Sequence, residues 1–210
     1  MAEGDVVAFG GLHLQSGEET LLAVVVGAVL ATVGGFVATQ FEVAVRRRER
    51  ERSAALLFGE ILAILELMTT MADGARGRGE PYGSFTMRLL RAVRREAETY
   101  DRNRESLYDL RNAKLRGQIH ALMVRLTLAL EGIADATLQI DAAEGAAGAA
   151  DLDAADRAEA MARLTGLMEA REAAFEFAVE AVSEIKPILL ILRPLAKQDF
   201  GVYASVSRNT

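Results

Sequence analysis

The sequence predicts an all-α protein in which a single transmembrane helix is continuous with a cytoplasmic antiparallel bundle of three or four helices. Three observations predict this fold class. Hydrophobic residues make up 51% of the 210 residues, aromatic residues only 6%, and there are three prolines, a composition typical of helices. One apolar segment is long enough to cross a bilayer, and elsewhere apolar residues recur at spacings of three and four. We therefore expect one anchored helical domain.

The transmembrane helix is predicted at residues 20–45. Between Leu21 and Ala38 the chain carries no charge, and residues 20–41 as a helix measure about 33 Å, enough for a hydrocarbon core of about 30 Å. A helix buried in a soluble protein would show a polar face, which this segment lacks. A cleaved signal peptide needs a basic stretch before it, whereas residues 1–19 contain acids but no Lys or Arg. We expect a retained anchor preceded by a short external segment, residues 1–19.

A cluster of arginines predicts the orientation. It follows the apolar segment and comprises Arg46, Arg47, Arg48, Arg50 and Arg52. The positive-inside rule then puts the C-terminal side in the cytoplasm and the N-terminus outside, at an inner (plasma) membrane. We interpret the cluster mainly as a topogenic signal and leave open the recognition of an anionic lipid. The preference for arginine over lysine favours a bacterial source.

Small residues recur every fourth position within the predicted span and form one stripe along it: Ala23, Gly27, Ala31, Gly35 and Thr39. In lipid, helices associate where small side chains let their backbones approach. The stripe predicts self-association, and the alternative is that these residues only tolerate lipid.

Two helices are predicted next, at about residues 46–72 and 84–100, separated by a segment rich in glycine. The first has a seam of apolar residues at heptad spacing: Leu57, Ile61, Ile64 and Met68. The second has Ser84 as its expected N-cap and an outward basic face of Arg88, Arg91, Arg94 and Arg95. Nucleic-acid binding by this face is disfavoured, because the chain has a net charge of −6 and no aromatic residues alternate with the arginines.

Two longer helices are predicted at about residues 104–142 and 153–186, joined by a flexible connection. The first has seam residues Leu115, Ile119, Leu122, Leu126 and Ile133, with Met123, Leu130 and Leu138 expected to widen the same apolar face. The second has seam residues Met161, Leu164, Met168, Phe175 and Val182. Arg171 occupies a seam position of this helix, where an unpaired arginine is costly. The helix is acidic, so we expect it to complement the basic face within one bundle or between subunits.

The segment between Pro187 and Pro194 is apolar but too short to span a membrane. We expect it to cap the bundle, and a position at the membrane interface is the alternative. Residues 199–210 are expected to form a C-terminal tail.

No catalytic, cofactor or metal site is predicted. The chain has no cysteine, its two histidines fall on opposite sides of the predicted membrane, and it has no phosphate-binding glycine motif. No small-molecule substrate is identified. The expected partners are membrane lipid and either another copy of the chain or another protein.

The layout favours a non-enzymatic function, as a membrane-anchored helical scaffold or accessory subunit that self-associates or docks a partner protein. Two alternatives remain open. One is a subunit of an oligomeric channel, with Thr32, Thr39, Gln40 or Glu42 lining a pore. The other is a membrane-tethered signalling module.

Overall fold

The protein is helical throughout the part of the chain that the structure describes. A computed structural model describes residues 16–79, 81–147 and 154–200, and no strand occurs within these ranges. In chain order the described elements are α1 (Ser16–Arg76), α2 (Ser84–Arg102), a 3-10 helix (Arg104–Asp109), α3 (Ala113–Ala147), α4 (Ala154–Ser183) and α5 (Ile185–Ala196). The all-α prediction is confirmed. Most of the predicted external segment and residues 201–210 of the predicted tail lie outside the described residues.

The chain divides into two compact units, residues 1–48 and residues 49–210. In the first unit, every described side chain from Val24 to Arg48 is exposed. This part of α1 belongs to the one described helix that is long and apolar enough to cross a membrane. The predicted long apolar N-terminal helix is therefore confirmed, and its passage through a bilayer stays a prediction.

The second unit is built on a single hydrophobic core. It takes buried side chains from α1, α2, the 3-10 helix, α3, α4 and α5. Phe58 of α1 meets the ring of Tyr100 of α2 edge-on, with the ring centroids 5.9 Å apart. The Tyr100 hydroxyl hydrogen-bonds Nδ1 of His120 on α3 at 3.0 Å. These contacts hold three helices together at one level of the core.

Helix boundaries differ from the expectation at several points. The third long helix begins at Ala113 rather than near 104, because the Asn112 side chain accepts a hydrogen bond from the Leu115 N–H at 3.1 Å and acts as a cap. The preceding residues form the 3-10 helix, in agreement with the short helix or bend that the sequence between Tyr100 and Leu110 predicts. The N-cap position of α2 belongs to Gly83, without a side-chain cap, and not to Ser84. Helix α1 continues to Arg76 and α3 to Ala147, each a few residues past its expected end.

The last predicted helix, expected to run to about residue 186, ends three residues earlier, and the apolar segment between Pro187 and Pro194 belongs to a separate helix. Helix α4 ends at Ser183 and α5 begins at Ile185, because Pro187 has no N–H to donate to the Ser183 carbonyl. Ile188 and Leu192 of α5 are buried in the core. The chain leaves α5 at Lys197, which has a φ of 55° and donates its backbone N–H to the Arg193 carbonyl.

The residues after α5 return to the core through one aromatic side chain. Phe200 is buried and lies against Gly59 of α1 so closely that a β-carbon at Gly59 would overlap the phenyl ring. Glycine at position 59 is therefore what lets the Phe200 ring rest on the backbone of α1.

Candidate functional site

The part of α1 in the first unit has the surface chemistry of a membrane span. Its large apolar side chains, such as Val29, Leu30 and Phe36, are all exposed. The Thr32 hydroxyl donates to the Ala28 carbonyl and the Thr39 hydroxyl to the Gly35 carbonyl, each at 2.8 Å. Polar groups inside a bilayer must form their hydrogen bonds within the helix, because hydrocarbon offers no hydrogen-bond partner. This surface needs a lipid or protein cover.

The small-residue stripe is open along its described length. A β-carbon at Gly27 or Gly35 would have nothing within 4 Å of it, so a second helix could approach there. Ala31 and Thr39 lie on the same stripe, and the side chain of Ala23 is outside the described ones. Self-association through this stripe stays a prediction.

The predicted topogenic arginines have different surroundings. Arg46 pairs with Glu42 one turn earlier, and the Arg52 Nε donates to the Ala196 carbonyl at 3.3 Å, at the C-terminal end of α5. Arg47, Arg48 and Arg50 are exposed and form no ion pair with any residue in the described ranges. These three guanidinium groups are the ones available to anionic lipid headgroups.

The predicted seam residues divide into core and surface positions. Most are buried: Ile61, Leu115, Ile119, Leu122, Leu126, Ile133, Phe175 and Val182. A second group is half-buried: Leu57, Ile64, Met68 and Leu164. Met161 and Met168, however, remain 53% and 40% exposed. Glu172 of α4 pairs with Arg76 at the C-terminal end of α1, so the earlier residues of α4 lie past the end of α1, which cannot cover them.

Arg171, the arginine at a seam position, is accommodated by aromatic stacking. Its guanidinium lies 3.8 Å above the ring of Tyr82, and that of Arg76 lies 4.4 Å from the ring centroid of Phe175. Glu172 accepts a hydrogen bond from the Tyr82 hydroxyl at 2.7 Å and also pairs with Arg76. We call these five residues the arginine–tyrosine cluster. The cation–π contact offsets part of the cost of partly burying Arg171, whose buried Nε has no hydrogen-bond partner among the described residues.

The cluster has the chemistry of a structural clasp. Burial and the hydrogen bond to Glu172 raise the pKa of Tyr82 to about 12, so the phenol stays protonated and donates at neutral pH. The arginine–tyrosine cluster joins the end of α1, the turn before α2 and the middle of α4. Sequence reasoning missed it, because no local pattern links Tyr82 to Glu172. The Asn112 cap, by contrast, had a local signal, an asparagine directly before a helical apolar pattern.

Within the described residues, no ion pair joins the basic face of α2 to the acidic helix α4. Arg94 pairs only with Glu98 of α2 itself, at 3.9 Å. Arg88, Arg91 and Arg95 are exposed and form no ion pair within the described ranges. The expectation of complementarity inside one bundle is thus not met there, and complementarity between subunits stays a prediction.

Two clefts of the second unit contain no evident reactive group. One, of about 600 Å³, lies between the end of α1 and the start of α2 and is lined by Met71, Ala75 and Phe85 among others. The other, of about 240 Å³, contains Glu66, which pairs with Lys186 at 3.6 Å. Within the described residues, His, Asp and Glu nowhere form a group of three that could hold a metal ion.

Comparison with known proteins adds no relative. No family model matches the chain, and no curated protein or solved structure matches it.

Proposed function

We propose that this chain is a non-enzymatic, single-pass membrane-anchored helical scaffold or accessory subunit that self-associates or docks a partner protein. The observation that carries the proposal is the exposed apolar surface of residues 24–38, which carries no charged side chain. A soluble domain rarely leaves so long an apolar surface uncovered. The internally bonded threonines support a lipid cover.

In this proposal the second unit is an antiparallel helical bundle in the cytoplasm. Its contacts support that arrangement. Arg111, just before α3, pairs with Glu51 of α1 at 3.2 Å, whereas Glu172 of α4 pairs with Arg76 at the opposite end of α1. Helices α1 and α3 would run in one direction, and α2, α4 and α5 in the other. The exposed arginines after the span support a cytoplasmic location.

A scaffold accounts for the span better than a channel does. The Thr32 and Thr39 hydroxyls donate to the helix backbone, and Glu42 pairs with Arg46. These contacts leave few free polar groups to replace the water around a passing ion. The second unit, in contrast, has a well-packed core and exposed apolar and charged faces, which is the surface expected of a docking module.

Membrane extraction tests the anchor, and cysteine labelling tests its orientation. A spanning chain resists alkaline carbonate and dissolves only in detergent. Because the native chain has no cysteine, Ser16→Cys and Lys114→Cys each give a single labelling site. With a membrane-impermeant maleimide on intact cells, we expect Ser16→Cys to react and Lys114→Cys to react only after lysis. Carbonate release, or labelling of Lys114→Cys in intact cells, contradicts the proposed anchor or orientation.

Mass spectrometry of the intact complex in mild detergent tests the scaffold role. We expect copies of this chain together, or this chain with a second protein. A solitary monomer in native membranes and in detergent contradicts it. Ion conductance of the purified protein in liposomes would support the channel instead.

A further inference from the structure

Helix α3 has a second apolar face, opposite to the core. Its exposed members recur at spacings of three and four, and we call them the outer stripe: Ala121, Val124, Leu128, Glu131, Asp135 and Leu138. Val124, Leu128 and Leu138 are 53%, 62% and 69% exposed. A helix that is apolar on both faces is normally covered on both. No described element of this chain covers the outer stripe.

The charges of the outer stripe limit which kind of protein surface can pack on it. Glu131 and Asp135 lie in the middle of the stripe, and neither forms an ion pair with a described residue. If α3 of another copy packed there, these acids would face their own copies and repel each other. A suitable cover is instead an amphipathic helix that presents arginines, because their aliphatic stems pack on apolar surface while the guanidinium groups reach the acids.

The chain itself carries such a helix. The basic face of α2 is exposed, and Arg88 and Arg91 form no ion pair within the described residues. Phe85, one turn before Arg88, is also exposed. Helix α2 therefore offers positive groups that complement Glu131 and Asp135, and an exposed apolar side chain, Phe85, that can pack on the apolar residues of the outer stripe.

The heights of the two surfaces match. Tyr100 of α2 is level with His120 of α3, to which it hydrogen-bonds. At the other end of α2, Tyr82 bonds Glu172, and Ala174, two residues further along α4, lies against Gly132 of α3. Helix α2 therefore runs antiparallel to α3. Arg88 lies about 18 Å from Tyr100 along α2, and Glu131 lies about 17 Å from His120 along α3, at about 1.5 Å per residue.

We propose that two copies of this chain associate side by side about a two-fold axis parallel to their helices, with the basic face of α2 in each copy packed on the outer stripe of α3 in the other. Rotation about such an axis leaves each residue at the same height along the helices, so residues at equal heights in the two copies face each other. Arg88 of one copy is then nearly level with Glu131 of the other, and Arg91 and Asp135 each lie within a helical turn of that level. Phe85 comes within a helical turn of Leu138. The inference rests on the proposed self-association and identifies the surfaces that carry it.

Disulfide trapping between two differently tagged, co-expressed full-length chains tests the geometry. One chain carries Arg88→Cys and the other Glu131→Cys. A disulfide needs Cα atoms within about 7 Å, so we expect mild oxidation of membranes to give a covalent dimer containing both tags. The matched control pairs Arg88→Cys with Ala121→Cys, which lies on the same stripe but about 15 Å from Glu131 along the helix axis. It should give at least about tenfold less covalent dimer.

Charge reversal tests the chemistry without cysteine. Arg88→Glu with Arg91→Glu, or Glu131→Arg with Asp135→Arg, should weaken dimerisation in detergent by about tenfold or more, and co-expression of the two double variants should restore it as a mixed dimer. A dimer that neither variant disturbs, and that forms no disulfide between positions 88 and 131, overturns this inference but leaves the proposed self-association intact. A monomeric wild type overturns both. Arginine-dependent binding to anionic vesicles or to nucleic acid, with unchanged stoichiometry, would reassign the basic face.

Discussion

Replacing Gly59 by alanine should destabilise the second unit, although alanine favours a helix more than glycine does. The added methyl group would overlap the Phe200 ring, so the ring must leave its site. Losing the burial of a phenylalanine costs about 1.5–3 kcal/mol, whereas the change from glycine to alanine within a helix returns about 0.5–1 kcal/mol. The free energy of unfolding should therefore fall by about 1–2 kcal/mol for Gly59→Ala.

Gly166 provides the matched control. It also lies inside a helix, and a β-carbon there would have nothing within 4 Å of it. Gly166→Ala should raise the free energy of unfolding by about 0.5–1 kcal/mol. In a Phe200→Ala background, Gly59→Ala should become stabilising by a similar amount, because the obstruction is gone.

The assay is urea unfolding of the full chain in mild detergent, followed by circular dichroism. Limited proteolysis adds a local readout, since a displaced Phe200 should expose the residues after α5 to cleavage in Gly59→Ala but not in Gly166→Ala. Equal effects of Gly59→Ala in the wild-type and Phe200→Ala backgrounds would refute the reasoning. The two residues would then not be coupled.

Three further predictions concern the arginine–tyrosine cluster, the core and the proposed membrane span. Because the pKa of Tyr82 is raised, the contribution of Tyr82 to stability is complete below pH 10, the ordinary tyrosine pKa, and is lost as pH rises through about 12. The melting temperature of the wild type should therefore fall more steeply over that pH interval than the melting temperature of Tyr82→Phe. Parallel curves would contradict this. Leu126 is fully buried, so Leu126→Ala should lower the free energy of unfolding by about 2–5 kcal/mol, while Leu128→Ala, at an exposed position, should change it little in monomeric protein. Leu30→Arg should disfavour membrane insertion by about 2.5–3.5 kcal/mol, measurable as a larger carbonate-extractable fraction than for Leu30→Ala, and equal fractions would count against a span at this position.

The sequence was informative wherever the responsible pattern is local. The uncharged run ending at Ala38 and the heptad spacing around Leu122 each lie within a single helix, and both predicted the helices that contain them. The Pro187 break is also local, because a missing N–H affects only the preceding turn. The predictions that need distant partners did less well. The sequence indicated that burying Arg171 is energetically costly. The contact of its guanidinium with the Tyr82 ring, however, depends on how the glycine-rich segment between α1 and α2 folds back.

Periodicity also fails to distinguish a core from an interface. Leu138 was expected to widen the apolar face of α3 that holds Met123 and Leu130, and those two are buried, yet Leu138 lies on the outer stripe. Spacings of three and four occur on every face of a helix, so the pattern identifies a stripe without indicating what covers it. Met161 and Met168 continue the α4 seam past the end of α1, where no third helix of the described part of the chain covers them.

The proposed contact at the outer stripe and the proposed membrane anchor support each other, because anchoring changes how copies of the chain meet. A chain confined to a membrane meets other copies in two dimensions and in one orientation, which raises its effective concentration and removes part of the rotational cost of association. A contact too weak for a freely diffusing protein can therefore be occupied at a membrane. Ion pairs at a partly solvated surface contribute little individually, so the basic face and the outer stripe suit an anchored dimer better than a soluble one. It follows that the second unit, if released from its anchor with its core intact, should be monomeric at concentrations where the full chain is associated.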